Sequence, residues 1–449
     1  MKKILLILSV LCASVLSAQE PLNLSQCIEK ASHYNRSLQN AVLNLRGSKE
    51  YRKQMYAKYF PEISANVTAF QAFDKIIKAD GTYPEELASL AAVNPEFAQL
   101  AGTPYSFHEL NRSYSALLTV TQPIYAGGQI TAVNKLSRID QEIAELQLNL
   151  KEKDVIQKVT ENFWQIAQLY YNLQTITAAE KQLAAVYEQV NNYVETGVAT
   201  RNALLKVKLQ QQELASNRLK LENASHILSM LLAQQIGLGA TTISLDLPEA
   251  DITPDLPAYI AGTTASYNRE ELQLSGKGVE SQRMLVKLER GKCLPTLAVG
   301  LMGYHTGLGG LSETIKSNIS TSMTNAVGFV TLSVPISAWF GGSHAIRQAK
   351  INLAQSKNEY LDMQENLAID IESAWSSLVE ARKQIDIARA SVEEAKENFR
   401  MATDQYTTGK ETITDLLDAE TLNRQAQDQL YAAIASYHIC YADYQRKIQ

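Results

Sequence analysis

Two carboxylates three residues apart, Asp415 and Asp418, follow the motif Tyr406-Thr-Thr-Gly409-Lys410-Glu411-Thr-Ile413. In a helix starting there, this spacing puts both on one face of the first turn, where they answer the positive end of the helix dipole. Six histidines, His33, His108, His226, His305, His344 and His438, are dispersed. No H-E-x-x-H pair, phosphate loop or nucleophile elbow accompanies them. Past Cys12, the cysteines Cys27, Cys293 and Cys440 lack metal-type spacing and read as buried small hydrophobes. No catalytic residue, metal or cofactor is expected, and an enzyme reading finds little support.

Two proline-free stretches, 124–247 and 336–449, supply the elements that must hold such residues. Pro123, Gly127-Gly128, Trp164 and Gly197 recur in order as Pro335, Gly341-Gly342, Trp375 and Gly409, about 212 residues later. The chain is an internal duplication, and the period is too large for a solenoid repeat. Val159, Phe163, Ile166, Tyr170, Leu173, Ile176, Ala179, Leu183, Val186, Val190 and Tyr193 advance in steps of three and four. Ile371, Ala374, Leu378, Ala381, Ile385, Ala388, Val392, Ala395, Phe399, Ala402 and Tyr406 repeat the seam. The stretch 128–197 predicts a helix of roughly 100 Å. Shorter helices over 203–235 and 412–446 must fold back across the turns at Gly197 and Gly409. Helices over 22–58 and 267–291, stacked end to end with these return arms, would give four helical columns, two continuous and two composite.

Strand-period segments lie between the helices. Ile63, Ala65, Val67 and Ala69 alternate with Ser64, Asn66 and Thr68, and Tyr114, Ala116, Leu118 and Val120 with Ser115, Leu117 and Thr119. Leu297, Val299 and Leu301, then Val330, Leu332 and Val334, repeat the pattern. One apolar and one mostly small or polar face suit a barrel with lipid outside and water inside, or a soluble hairpin packed on a helix. Tyr59, Phe60, Tyr125, Trp339 and Phe340 gather where strand meets helix, the place of an interfacial aromatic belt. Four strands cannot close a membrane barrel, so such a chain must associate with its own copies. The segment 72–111 reads as an external loop with a small helix, 307–325 as a shorter glycine-rich connection, and 237–265 as a link packing around the middle of the helices.

Lys2-Lys3, an apolar run and a small residue at Ala18 have the layout of a signal peptide over 1–18, with a signal anchor as the rival. Losing it makes the net charge more negative than −5, which excludes a nucleic-acid-binding balance. The remaining organisation is a first repeat over 19–237, a linker over 238–265 and a second repeat over 266–449.

This ordered set resembles the outer-membrane efflux proteins of the TolC family over essentially the whole mature chain. The resemblance rests on Tyr59-Phe60-Pro61 and Leu294-Pro295 before strands, and on Gln122-Pro123-Ile124-Tyr125-Ala126-Gly127-Gly128 and Val334-Pro335-Ile336 after them. Asn268-Arg269-Glu270-Glu271-Leu272 is similar to the family's Arg-Pro-Asp/Glu-Leu, with Glu270 where proline is usual. It implies a mainly helical chain with a membrane β-barrel, trimeric, with about 12 strands in one barrel and about 12 helical columns in a periplasmic tunnel. It implies the exit duct of a tripartite pump in a Gram-negative outer membrane. The partners are then a periplasmic adaptor (membrane fusion protein), an inner-membrane transporter of RND, ABC or MFS type, and outer-membrane lipid. A periplasmic coiled-coil adaptor or scaffold without a channel is the alternative.

The resemblance also assigns the turns. Gly197, Val198, Ala199, Gly409 and Lys410 would meet the adaptor. Asp415, Asp418, Tyr406, Arg201 and Glu411 would form the aperture, with the two aspartates matching carboxylates that point toward the axis and favour cations. Ala203 and Glu411 stand where the best-studied pattern carries Asp and Arg, a departure that speaks against a latch of that polarity, and a pair of Arg201 with Glu411 in the opposite sense is the hypothesis it leaves.

Overall fold

The computed structural model describes residues 21–73, 77–110, 112–249, 254–312 and 317–448. The expected signal peptide lies outside the described residues. The chain forms two compact units that each draw on both repeats. One comprises Met1–Lys49, Ile139–Glu280 and Ala354–Gln449; the other comprises Glu50–Arg138 and Ser281–Leu353.

The second unit is built on strands β1 (Glu62–Gln71), β4 (Arg112–Ala126), β5 (Thr296–Ser312) and β6 (Ser317–Ser333), in the order β1-β4-β5-β6. Every pairing is antiparallel, and β4 against β5 joins the first repeat to the second. Residues directly opposite across such a ladder share a face. One face therefore carries Ile63, Val67, Leu118, Leu301, Val330 and Leu332, all of them exposed in the single chain. Ser64, Asn66, Thr68, Thr119 and Thr331 belong to the other.

All four expected strands are present, and β5 and β6 reach further than expected. Most of the connection read over 307–325 is strand, since β5 runs to Ser312 and β6 begins at Ser317. Glycine, serine and threonine there carry no apolar alternation to read, but the backbone ladder continues regardless of side chain. Within 72–111 the chain adds a ribbon of β2 (Ile77–Thr82) and β3 (Pro104–Leu110), a 3-10 turn (Glu85–Leu90) and a short helix (Glu96–Leu100).

The two Gly-Gly pairs, alike in sequence, do different work. Gly127 and Gly128 have φ of 59° and 77° and turn the chain out of β4, and a Cβ on Gly127 would lie 2.3 Å from the Gly291 carbonyl. Gly341 and Gly342 instead sit inside a helix that starts at Ala338, where the absent Cβ of Gly342 makes room for the Cys293 sulfur. The second corner is therefore made before the glycines, at Val334 and Ile336, whose backbones share a hydrogen bond of 3.0 Å.

The helical unit takes its length from α4 (Gln129–Glu195) and α8 (Ala338–Thr407), with return arms α5 (Arg201–Gln235) and α9 (Ile413–Ile448). No helix among the described residues is long and apolar enough to cross a membrane. Both seams pack as read, except that Tyr170 is exposed and its neighbour Tyr171 turns inward. Tyr171 donates its hydroxyl to the Pro248 carbonyl of the inter-repeat segment. Tyr437 reaches Pro254 O at 2.7 Å, and Tyr444 accepts from Ile260 N–H at 3.0 Å. Cys27 is fully buried beside Phe163 and Leu232, and burial pushes its thiol up to about 11.

The single helix expected over 22–58 is two, α1 (Leu24–Tyr34) and α2 (Arg36–Ala57). Asn35 between them has extended backbone, and its Oδ1 accepts from the Ser37 and Leu38 N–H groups at 2.9 and 3.2 Å. Its Nδ2 donates to Gln235 O at 2.9 Å, which joins the end of α5 to the start of α2. The corresponding joint of the second repeat is ionic. α9 ends with Lys447 on Asp370 at 2.9 Å, and Asp370 also holds Arg269 at 3.1 Å, one residue before α7 (Glu270–Lys292). Arg269 is nearly fully buried and also pairs with Glu271.

Candidate functional site at the helical turns

Both hairpin turns are closed by a glycine with positive φ, 76° at Gly197 and 74° at Gly409. Past Gly197 the N–H groups of Val198 and Ala199 both return to Tyr193 O, at 2.7 and 2.9 Å. Past Gly409 the Lys410 N–H returns to Gln405 O at 2.9 Å. Such left-handed caps satisfy the last carbonyls of one helix and reverse the chain into the next. The return arms are then capped by threonines. Thr200 Oγ1 accepts from Ala203 N–H at 3.3 Å, and Thr412 Oγ1 accepts from Asp415 N–H at 3.4 Å.

Asp415 completes a reciprocal box, because its carboxylate accepts from the Thr412 N–H at 3.0 Å and from the Thr412 hydroxyl at 2.6 Å. Those hydrogen bonds, with Lys206 adding a smaller pull, hold its pKa below the ordinary carboxylate value. Asp418 lies one turn on and, like Asp415, is exposed in the single chain. Lys206 Nζ donates to Thr414 Oγ1 at 2.6 Å and ties the first return arm to the second.

Beneath the turns Val190, Val207, Leu214, Ile413, Leu416 and Leu417 form one apolar cluster. Tyr406 is buried against it, with its ring centroid 6.5 Å from that of Tyr193. Burial and then the neighbouring Tyr193 raise its hydroxyl pKa. The exposed crest is Gly197, Val198, Gly409 and Lys410, with Ala199 half-buried. Arg201 is exposed, Glu411 is half-buried with its Oε2 shut off from solvent and without a hydrogen-bond partner, and among the described residues no ion pair joins the two.

Sequence reasoning missed a charged ladder one turn below. Glu420, Arg424 and Asp428 follow each other at i, i+4 along α9, where Glu420 is 4% and Arg424 8% exposed. Arg424 Nη1 lies 3.6 Å from Asp428 Oδ2. Glu420 Oε2, Arg424 Nε and Asp428 Oδ1 are shut off from solvent without a hydrogen-bond partner. Burial raises the Glu420 carboxyl, Glu213 on α5 adds to this, and Arg424, Gln210 and Thr421 oppose it. The spacing was visible in the sequence; that this face turns inward was not.

In the other unit, Tyr59, Phe60, Tyr125, Trp339 and Phe340 are all exposed at the strand ends nearest the helices. Gln122 Nε2 donates to the Tyr59 backbone carbonyl at 3.1 Å, and Trp339 Nε1 donates to Cys293 O at 2.9 Å, which fixes the Trp339 ring.

A model of the outer membrane efflux protein family matches residues 27–234 and 263–443, which takes in both repeats. Among solved structures, CusC superposes with a TM-score of 0.74 at 14% identity, covering 96% of this chain and 92% of that one. The CmeC outer membrane channel of Campylobacter jejuni gives 0.72 at 15% identity, with 95% and 85% covered. The open state of the Neisseria gonorrhoeae MtrE outer membrane channel gives 0.67 at 15%, with 95% and 88% covered. No curated protein matches by sequence.

Proposed function

The chain belongs to the outer membrane efflux protein family, and from that premise we propose that three copies form the outer-membrane exit duct of a tripartite efflux or secretion system. The observation that carries this reading is the sheet: four strands with one apolar face and two unpaired edges, β1 and β6, in a chain with long helical hairpins. Such edges invite pairing with a further copy, and three copies supply about 12 strands, enough to close a barrel. The strand ends beside Tyr125 and Trp339 then face the periplasm, and the ends at Arg112 and Ser312 face the exterior.

The turns at Gly197 and Gly409 meet a periplasmic adaptor, which links the duct to an inner-membrane transporter of RND, ABC or MFS type. Asp415 and Asp418 have a dual role in this reading. They stabilise the start of α9, and three-fold symmetry gathers six carboxylates around one axis, where they favour cations. Asp415 is already committed to Thr412, which leaves Asp418 as the freer of the two.

Purification of the protein from outer membranes in detergent, followed by electron microscopy and planar-bilayer recording, tests this. A three-fold particle with a helical section on the order of 100 Å supports the duct. A detergent-independent monomer without conductance overturns it. In a conducting wild type, Asp418→Asn is expected to lower the preference for cations over anions; unchanged selectivity reduces the carboxylates to helix capping.

A further inference from the structure

Side-chain hydrogen bonds join the two return arms just past the turns. Lys206 Nζ on α5 donates to Thr414 Oγ1 on α9 at 2.6 Å, and Gln210 Nε2 donates to Thr421 Oγ1 at 3.1 Å. Lys206 and Gln210 stand four residues apart and so share one face of α5. Val207 and Leu214, beside that face, pack into the same apolar cluster as Leu416 and Leu417, which fixes the register of the arms. The Lys206 ammonium is therefore held at one place, on the residue next to Asp415.

That place matters because of the charge around it. Asp415 and Asp418 are both exposed near the start of α9. After the hydrogen bonds from Thr412, the charge of Lys206 is among the causes that hold the Asp415 carboxyl below its ordinary pKa. The other cations of the turns are placed differently. The side chains of Arg201 and Lys410 are exposed and, among the described residues, no hydrogen bond or ion pair fixes them. A swinging charge is averaged over many positions, whereas a tethered one acts on a fixed neighbour.

We propose that Lys206 sets the ion selectivity of the aperture, a proposal that rests on the reading of Asp415 and Asp418 as carboxylates of the conducting path. Its ammonium offsets Asp415, so that Asp418 carries most of the attraction for cations. The preference of the aperture is thereby weaker than its aspartates alone would make it. Lys206 needs no contact with a passing ion to do this, because in about 0.1 M salt a charge acts over about 10 Å. The bond to Thr414 keeps it within that range of Asp415.

The full-length protein is recorded in planar bilayers under a potassium chloride gradient, and the permeability ratio of potassium to chloride is read from the reversal potential. Lys206→Met is expected to raise the ratio about threefold in about 0.1 M salt and to match the wild type in about 1 M salt, where the screening length is about 3 Å. Lys206→Arg, which keeps the charge, is expected to keep the wild-type ratio in both. A tether without an electrostatic role would instead change conductance and leave the ratio alone. An unchanged ratio in Lys206→Met, a rise that persists in the higher salt, or one that Lys206→Arg reproduces overturns the proposal. Asp418→Asn separates this from the aperture reading. If it lowers the ratio while Lys206→Met does nothing, the aperture stands and the role of Lys206 falls; if neither variant moves the ratio, both fall.

Discussion

Glu420 shows how far a residue's role can depend on what faces it. Its carboxyl is buried between α5 and α9, close to Glu213, with Arg424 as a cationic neighbour. A carboxyl whose folded pKa is raised costs stability above that pKa, and the cost fades as pH falls toward the unfolded value near 4.3. Glu420→Gln is therefore expected to raise the thermal midpoint at pH 7.5 and to change it little at pH 4, as read by scanning calorimetry. Asp415 has the opposite sign. Its pKa is lowered, so its contribution is complete above the ordinary carboxylate pKa and is lost as pH falls below it. Residue types and spacing made the Asp415 cap legible, because a carboxylate in a first helical turn follows a local rule. Glu420 was not legible, because its burial depends on a helix more than 200 residues away in sequence.

At the scale of elements, local signals located the long helices and their turns within a few residues and found the four main strands, of which β5 and β6 run more than ten residues past the alternation that marks them. The misreadings have local causes as well. Periodicity runs through Asn35 unbroken, and only the tertiary bond to Gln235 O shows that the residue ends one helix and caps the next. Asn35→Ala removes the cap and the joint together and is expected to cost about 1–2 kcal/mol by chemical denaturation. A loss well under that range would mean that the break at α1 and α2 is held by packing alone. The Gly-Gly pairs are the converse case, since one dipeptide serves a left-handed turn at Gly127 and close packing against Cys293 at Gly342. Dipeptide identity cannot separate the two.

At the scale of the molecule, the family was legible in the order of motifs, while assembly is argued from what the single chain leaves undone. β1 and β6 are the edges of the sheet, and their outward N–H groups have no partner within it. In the purified assembly those amides are expected to exchange as slowly as the paired amides of β4 and β5 when followed by hydrogen–deuterium exchange. Fast exchange confined to β1 and β6 would exclude edge-to-edge closure.

The pairing of β4 with β5 also sets a timetable. β4 ends at Ala126 and β5 begins at Thr296, so one chain of the ladder is made long before the other. At ordinary rates of synthesis the gap is on the order of 10 s. Throughout it β4 carries an apolar face and, with β1 on its other side, an edge that only β5 covers in the finished sheet. A newborn chain is therefore expected to need a holdase that keeps β4 from pairing with a neighbour's strand until its own arrives, and chaperone depletion is expected to lower the yield.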